Sequence, residues 1–225
     1  MAMDFIFMLT HHDKTVANCL DVFDQIKGIG LTHVGFKDVG VDLATLKSLA
    51  GRIKESGAMA YVEVVSTTPD SIRTSIKSAA ALGVDRVLGG QELTFALESL
   101  RPSGAAYYPF PGIPKGHPTK LYGDTGKVEN DCSDAVAAGC PGVDLLAYRA
   151  QEAHPLDLIR AARRGLGTSG YLIVAGSIDS TDRIKAVADA GADAFTIGSA
   201  IFEESFKPGI KGVRAQCEAV MTALG

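Results

Sequence analysis

The feature that most constrains the fold is a short apolar run, followed by a turn and an amphipathic stretch, that recurs at roughly 25-residue intervals. Eight apolar runs are predicted as strands: residues 5–9, 33–37, 60–65, 86–89, 105–110, 143–148, 172–175 and 194–197. The stretches between them place apolar residues at helical spacing, as residues 42–56 ("DLATLKSLAGRIKES") do. The chain is therefore predicted to alternate strand and helix eight times.

Eight alternations without a break in composition predict a single (β/α)8 TIM barrel over residues 1–225, and 225 residues lie close to the roughly 250 typical of that fold. The alternative is a doubly wound open sheet. That fold would favour a glycine-rich turn after the first strand, and the segment "FIFMLTHHDKT" contains no glycine. The barrel is the preferred prediction.

Residues 109–130, "PFPGIPKGHPTKLYGDTGKVEN", interrupt the alternation. They contain four of the nine prolines and four glycines, and they show no helical period. Long irregular loops in compact domains usually serve a function or are disordered. Because this one leaves the carboxyl end of a strand, we expect an active-site lid.

Composition excludes several classes of partner. A net charge of −4 and scattered basic residues predict no nucleic-acid binding. The apolar run near the N-terminus is too short for a signal peptide or membrane span, so we expect a cytoplasmic protein with no membrane partner. The four cysteines lack C-x-x-C spacing and are predicted to be reduced, buried or half-buried thiols.

Chemistry in a barrel lies at the carboxyl ends of its strands. Successive strand side chains point to opposite faces, so if the apolar Val34 and Phe36 face the helices, Lys37 faces the barrel interior, and the same alternation turns Glu63 inward. Lys37 and Glu63 are the predicted proton-transfer pair, and Asp38, beside Lys37 at the strand end, is a third catalytic candidate. An internal salt bridge with no catalytic role is the alternative.

Other strand ends and loops supply candidate substrate-binding residues, namely His11, Gln91, Arg149 and His117. His11, His12 and Asp13, with Glu63, are also conceivable metal ligands. However, adjacent histidines on an extended segment point in opposite directions, and no standard ligand spacing is present. The prediction is that the enzyme uses no metal and no cofactor.

The last two predicted strands end in the same dipeptide, Gly176-Ser177 and Gly198-Ser199. Small residues let backbone N–H groups approach an anion, and a following helical turn adds unpaired donors. In barrels, the loops after strands seven and eight often form a phosphate site. These four residues are therefore predicted to bind a substrate phosphate.

The segment 174–202, "VAGSIDSTDRIKAVADAGADAFTIGSAIF", resembles the end of the ribulose-phosphate-binding barrel superfamily. That group includes ribulose-phosphate 3-epimerase, 3-keto-gulonate-6-phosphate decarboxylase, N-acylmannosamine-6-phosphate 2-epimerase and the histidine-biosynthetic isomerase. The resemblance covers about thirty residues closely and implies a (β/α)8 barrel that binds a phosphorylated metabolite. It does not select a reaction.

The family's catalytic motifs are not reproduced on the early strands. The second strand reads His33-Val34-Gly35 where the metal-dependent epimerases carry His-x-Asp, and Gly35 replaces the first Asp of the decarboxylases' Asp-x-Lys motif. We therefore predict a divergent isomerase or epimerase of a small phosphorylated sugar. A lyase in which Lys37 forms an imine, and a non-catalytic barrel that senses a phosphorylated metabolite, are the alternatives. A homo-oligomer is an expectation from the fold class alone.

Overall fold

A computed structural model describes residues 3–224 of the chain. Eight strands form one parallel sheet: β1 Asp4–Met8, β2 His33–Lys37, β3 Met59–Val64, β4 Arg86–Gly89, β5 Ala106–Tyr108, β6 Gly142–Leu145, β7 Tyr171–Val174 and β8 Ala194–Ile197. Their order around the sheet is β6-β7-β8-β1-β2-β3-β4-β5. The Asp144 amide donates to the Pro109 carbonyl at 3.0 Å and joins the two ends. The (β/α)8 barrel predicted from the sequence is confirmed.

The helices surround the barrel: α1 Cys19–Ile26, α2 Leu43–Glu55, α3 Pro69–Leu82, α4 Leu93–Leu100, α5 Thr125–Ala137, α6 Pro155–Leu166, α7 Thr181–Asp189, the single turn α8 Ser199–Phe202, and α9 Val213–Leu224. Their starts follow local chemistry. Asp42 caps α2 by accepting from the Thr45 amide, and Pro69 occupies the first turn of α3. No helix within residues 3–224 is long and apolar enough to cross a membrane.

The alternation of strand side chains produces two apolar layers, as predicted. Val34 and Phe36 pack between the sheet and the helices. A separate cluster fills the barrel interior, made of Ile6, Met8, Tyr61, Leu88, Tyr108, Ile173 and Ala194. All four cysteines are buried free thiols, as expected.

A polar group closes the amino-terminal end of the barrel. The Arg86 guanidinium lies 4.8 Å from the ring centroid of Tyr171 and 5.3 Å from that of Tyr61, and it donates to the Tyr61 hydroxyl at 3.0 Å. His33 bonds the same hydroxyl at 2.8 Å. Aromatic faces attract a desolvated cation, so these contacts hold Arg86 among the tyrosine rings and fill this end of the barrel. The cavity lies at the opposite end.

The segment 109–130 is more ordered than its composition predicted. A hairpin pairs Ile113–Lys115 with Lys120–Tyr122, and α5 begins at Thr125. Asp124 caps that helix by accepting from the Lys127 amide at 2.8 Å. The prediction of a loop to residue 130 was therefore wrong for residues 125–130, which form the start of α5. Asp124 caps this helix, although the apolar spacing that follows is too weak to indicate a helix.

Candidate active site

The chain after β1 folds into a tight hairpin that aims a carboxylate into the barrel mouth. Thr10–His11 pairs with Lys14–Thr15, and the two turn residues have left-handed backbones, with φ of 49° at His12 and 58° at Asp13. Two-residue hairpins favour this conformation, usually with asparagine and glycine. A non-glycine residue pays about 1–2 kcal/mol there, so tertiary contacts must hold the turn.

Those contacts are ion pairs at the centre of the mouth. The Lys37 ammonium lies 2.7 Å from Asp13 Oδ1 and 3.1 Å from Glu63 Oε1. Arg149 donates from Nη2 to Asp13 Oδ1 at 2.7 Å and from Nη1 to Oδ2 at 2.8 Å. The predicted inward orientation of Lys37 and Glu63 is confirmed, and β2 and β3 place them as direct neighbours in register.

The cluster keeps Asp13 ionised. Burial alone would raise the pKa of this carboxyl, but hydrogen bonds from Arg149 and the charges of Lys37 and Arg149 outweigh burial and hold the pKa well below 3.8. The side chains of Lys37, Asp13 and Glu63 are each 7% exposed or less. Their charges therefore interact with little screening by water.

A third carboxyl, Asp144 on β6, interacts electrostatically with Glu63, Lys37 and Arg149 of this cluster. It is fully buried, and neither of its oxygens finds a hydrogen-bond partner among residues 3–224. Burial raises the pKa of Asp144 well above 3.8, the negative charge of Glu63 adds to that effect, and the charges of Lys37 and Arg149 oppose it. Burial and the charge of Glu63 both act against the ionised form of Asp144.

Asp144→Asn tests that protonation state. A carboxyl whose pKa is higher in the folded protein than in the unfolded chain lowers the free energy of unfolding as pH rises above 3.8. The wild type is therefore expected to lose stability relative to the Asn variant from pH 4.5 to 7.5, by at most about 1.4 kcal/mol per pH unit. Urea denaturation of both proteins across this range measures the difference. A difference that does not change with pH would contradict a raised pKa.

The cluster forms one wall of a cavity of about 440 Å³ at the carboxyl end of the barrel. Polar residues from six strand ends line it, including Thr10, Asp13, Lys37, Glu63, Tyr148, Arg149, Ser177, Arg183, Ser199, Glu203 and Ser205. The predicted lid reaches the cluster at one point, where the Thr119 carbonyl accepts from Arg149 Nη1 at 3.3 Å.

Across the cavity from Lys37 and Glu63 lie the two glycine-serine turns. Gly176 and Ser177 have left-handed backbones, with φ of 82° and 58°. A Cβ on Gly176 would lie 2.5 Å from Arg149 Nε, and one on Gly198 would lie 2.5 Å from Thr10 Oγ1. A side chain at position 176 would need a left-handed backbone and would displace Arg149, and one at position 198 would also collide with the Thr10 carbonyl oxygen at 2.7 Å.

Arg183 supplies a cation beside these turns. Its guanidinium donates to the Ser177 carbonyl, lies 3.0 Å from Asp179 Oδ2, and packs 4.8 Å from the centroid of the Tyr148 ring. In the turn α8, which begins at Ser199, the Ile201 amide donates to the Gly198 carbonyl at 2.9 Å, whereas the Ser199 and Ala200 amides make no backbone hydrogen bond within residues 3–224. Backbone amides, serine hydroxyls and the side chains of Arg149 and Arg183 therefore meet at this end of the cavity.

Four predicted site residues lie outside the cavity lining. The Asp38 carboxylate accepts from the Val65 amide at 3.1 Å and from Ser75, so these bonds occupy it outside the cavity that Lys37 and Glu63 line. Gln91 holds the start of the lid by donating to the Phe110 and Gly112 carbonyls. His117 lines a separate open cavity beside α2, and His11 lies at the rim of the site against Glu203.

The sequence pattern does not indicate the roles of three residues at this end of the barrel. It predicts Asp13 only as a conceivable metal ligand, and it does not predict Asp144 and Arg183 as site residues. The sequence does contain an indication for Asp144, because an acidic residue between Val143 and Leu145 interrupts an otherwise apolar strand and is unusual in a buried position. The sequence contains no such indication for Arg183, since a charged residue in the first turn of an amphipathic helix is common.

Scans of protein-family models and curated proteins gave no match to this chain. Solved structures with the same fold do match. One described as "Native KDPGal structure" is 12% identical, with a TM-score of 0.68 and coverage of 99% of this chain and 97% of that one. Orotidine 5'-phosphate decarboxylase from Pyrococcus horikoshii OT3 is 14% identical, with a TM-score of 0.67 and 98% of both chains covered.

A designed cube-shaped, highly porous protein cage is a third match, at 12% identity and a TM-score of 0.68, with 99% of this chain and 74% of that chain covered. At these identities the likeness shows a shared fold. The (β/α)8 barrel fold implied by the resemblance of residues 174–202 is confirmed.

Proposed function

We propose that this protein is an enzyme that moves a proton next to the carbonyl of a small phosphorylated sugar or related metabolite, as an isomerase or epimerase. The observation that carries the proposal is the Lys37–Glu63 pair, 3.1 Å apart in one wall of a cavity whose other side is formed by the glycine-serine turns and Arg183. A phosphate at the turns would direct the rest of a small substrate toward the pair.

In the proposed reaction, the Glu63 carboxylate takes the proton from the carbon next to the carbonyl, and the released electron pair forms an enediolate. The Lys37 ammonium donates a hydrogen bond to the oxygen on which negative charge develops. Asp13 holds Lys37 in place and is itself held by Arg149. Isomerisation follows when the proton returns to the neighbouring carbon while the adjacent hydroxyl gives its proton to the former carbonyl oxygen, so that the carbonyl moves by one carbon. Epimerisation follows when the same carbon is reprotonated from its opposite face, for which water in the cavity supplies the proton.

A lyase is the second candidate. One of the barrels that share this fold is a decarboxylase, and an ammonium fixed between two carboxylates is suited to protonate the carbanion left when a carbon–carbon bond breaks. An imine route is less favoured, because it needs a Lys37 nitrogen free to attack a carbonyl, and this nitrogen lies 2.7 Å from Asp13 Oδ1 and 3.1 Å from Glu63 Oε1. Borohydride trapping with phosphorylated ketoses, followed by mass mapping, would detect an adduct on Lys37 if the imine route operates.

The test combines binding and exchange. Wild-type protein is screened by thermal shift against pentose, hexose and N-acetylhexosamine phosphates, phosphorylated keto acids, and the unphosphorylated form of each. Compounds that bind are then incubated with enzyme in D2O, and NMR follows loss of the proton next to the carbonyl. We expect binding only of phosphorylated compounds and enzyme-dependent exchange in at least one of them. Binding without exchange or turnover in any compound would instead support a non-catalytic sensor.

Arg183→Met tests the phosphate end separately. Removal of a charge-assisted hydrogen bond costs about 1.5–3 kcal/mol, so the Kd of a phosphorylated ligand should rise by about tenfold or more. Lys185→Met is the matched control, because Lys185 is an exposed cation on the same helix outside the cavity. Isothermal titration calorimetry measures both. Equal affinity in the two variants would place the phosphate elsewhere.

A further inference from the structure

The rim of the cavity carries three potential metal ligands that the proposed reaction does not use. His11, His12 and Glu203 each offer one ligand atom, and these atoms all lie within 4.8 Å of one another. His11 and His12 belong to the hairpin after β1, whereas Glu203 directly follows α8. The three residues are thus brought together from opposite ends of the chain by closure of the barrel.

The hairpin turn explains why the side chains of the adjacent residues His11 and His12 lie next to each other. On an extended strand their side chains would point to opposite faces. The left-handed backbone of His12 instead turns its ring onto that of His11, with ring centroids 3.7 Å apart. The expectation from the sequence that these side chains diverge is therefore wrong.

Neighbouring groups restrict the rings further. Phe202 stacks on His11 with centroids 6.1 Å apart, and His11 Nε2 lies 3.2 Å from Glu203 Oε1. The turn itself is held from the other side, because Asp13, the residue after His12, is ion-paired with Lys37 and Arg149. The His11 ring and the backbone of the turn are therefore positioned before any ligand arrives, which lowers the entropy cost of binding.

We propose that His11, His12 and Glu203 bind a divalent transition metal such as Zn²⁺ at the rim of the cavity. Two imidazoles and one carboxylate are a ligand set that Zn²⁺ accepts, with bonds of about 2.0–2.2 Å. The ligand atoms must move closer together to reach such bonds, which rotation of the exposed His12 and Glu203 side chains provides. Three protein ligands leave at least one coordination position open.

The open coordination position lies beside the cavity that Glu203 lines. Glu203 lines the same cavity as Ser199 and Lys37, so an oxygen-bearing ligand in the cavity could complete the coordination. Water is the alternative fourth ligand. The proposal concerns metal binding by these three residues, and it holds or fails independently of the reaction assigned to Lys37 and Glu63.

The test is a metal titration of the full-length protein after treatment with a chelator. Calorimetry with Zn²⁺ measures stoichiometry and Kd, and the visible absorption of Co²⁺ reports coordination by nitrogen and oxygen. We expect one ion per chain. His12→Asn, which tolerates the left-handed backbone, and Glu203→Gln are each expected to raise the Kd at least tenfold.

His154→Ala is the matched control, because His154 is exposed before α6 and is not among the three ligands. Its Kd should equal that of the wild type. Circular dichroism confirms that every variant is folded. The proposal is overturned if the wild type binds neither ion at millimolar concentration, or if His12→Asn and Glu203→Gln bind as tightly as His154→Ala does.

Discussion

Lys37→Met is expected to lower turnover by about 10²- to 10⁴-fold, with less than a tenfold change in the affinity for the phosphorylated ligand. Methionine approximates the length of the lysine stem but cannot donate to a developing enediolate oxygen. Glu63→Gln should have a similar effect, because the amide cannot accept the carbon-bound proton. Both variants leave the glycine-serine turns and Arg183 untouched, so ligand binding is retained.

The measurement is the rate of exchange or turnover with the ligand found by screening, beside a Kd for each variant. Because Lys37 and Glu63 act as a unit, the double variant should be little worse than either single one. Lys14→Met is the control: Lys14 is exposed on the same hairpin as Asp13 and does not line the cavity. Full activity in both Lys37→Met and Glu63→Gln would remove the proton-transfer assignment.

Asp13→Ala is expected to lower the free energy of unfolding by about 3–5 kcal/mol. The substitution leaves the buried Lys37 with one carboxylate and deprives Arg149 of both hydrogen bonds to Asp13. It also leaves a strained turn without the contacts that hold it. Urea denaturation at pH 7 measures the loss, and Asp24→Ala, which breaks an exposed pair with Arg52, should cost no more than about 1 kcal/mol.

The stability lost in Asp13→Ala is also expected to depend on pH. The pKa of Asp13 is lower in the folded protein than in the unfolded chain, so its stabilisation is present above pH 3.8 and is lost as pH falls through the folded value. The stability difference between wild type and Asp13→Ala should therefore narrow when pH is lowered from 6 to 3. A difference below 1 kcal/mol at pH 7, or one that widens in acid, would contradict the central role of Asp13.

Much of the barrel follows from local pattern. Residues 42–56, predicted as a helix, contain α2 with its capping residues Asp42 and Ser56 at the two ends. Strand alternation placed Lys37 and Glu63 in one mouth because period-two burial is decided by each strand's own residues. The hairpin inside the lid was not predicted, since its three-residue strands are too short to show alternation.

The sequence by itself determined the eight strands, their parallel arrangement in a barrel, and the inward side chains of β2 and β3, because these depend on apolar period and on short-range turn chemistry. Only the tertiary structure decided which charges meet. Arg149 pairs with Asp13 across 136 residues, and that contact holds a turn in which two consecutive non-glycine residues, His12 and Asp13, have left-handed backbones. The Arg149 side chain also packs closely against Gly176. The glycine of this glycine-serine dipeptide therefore makes room for a neighbouring side chain, in addition to the phosphate that the sequence predicts.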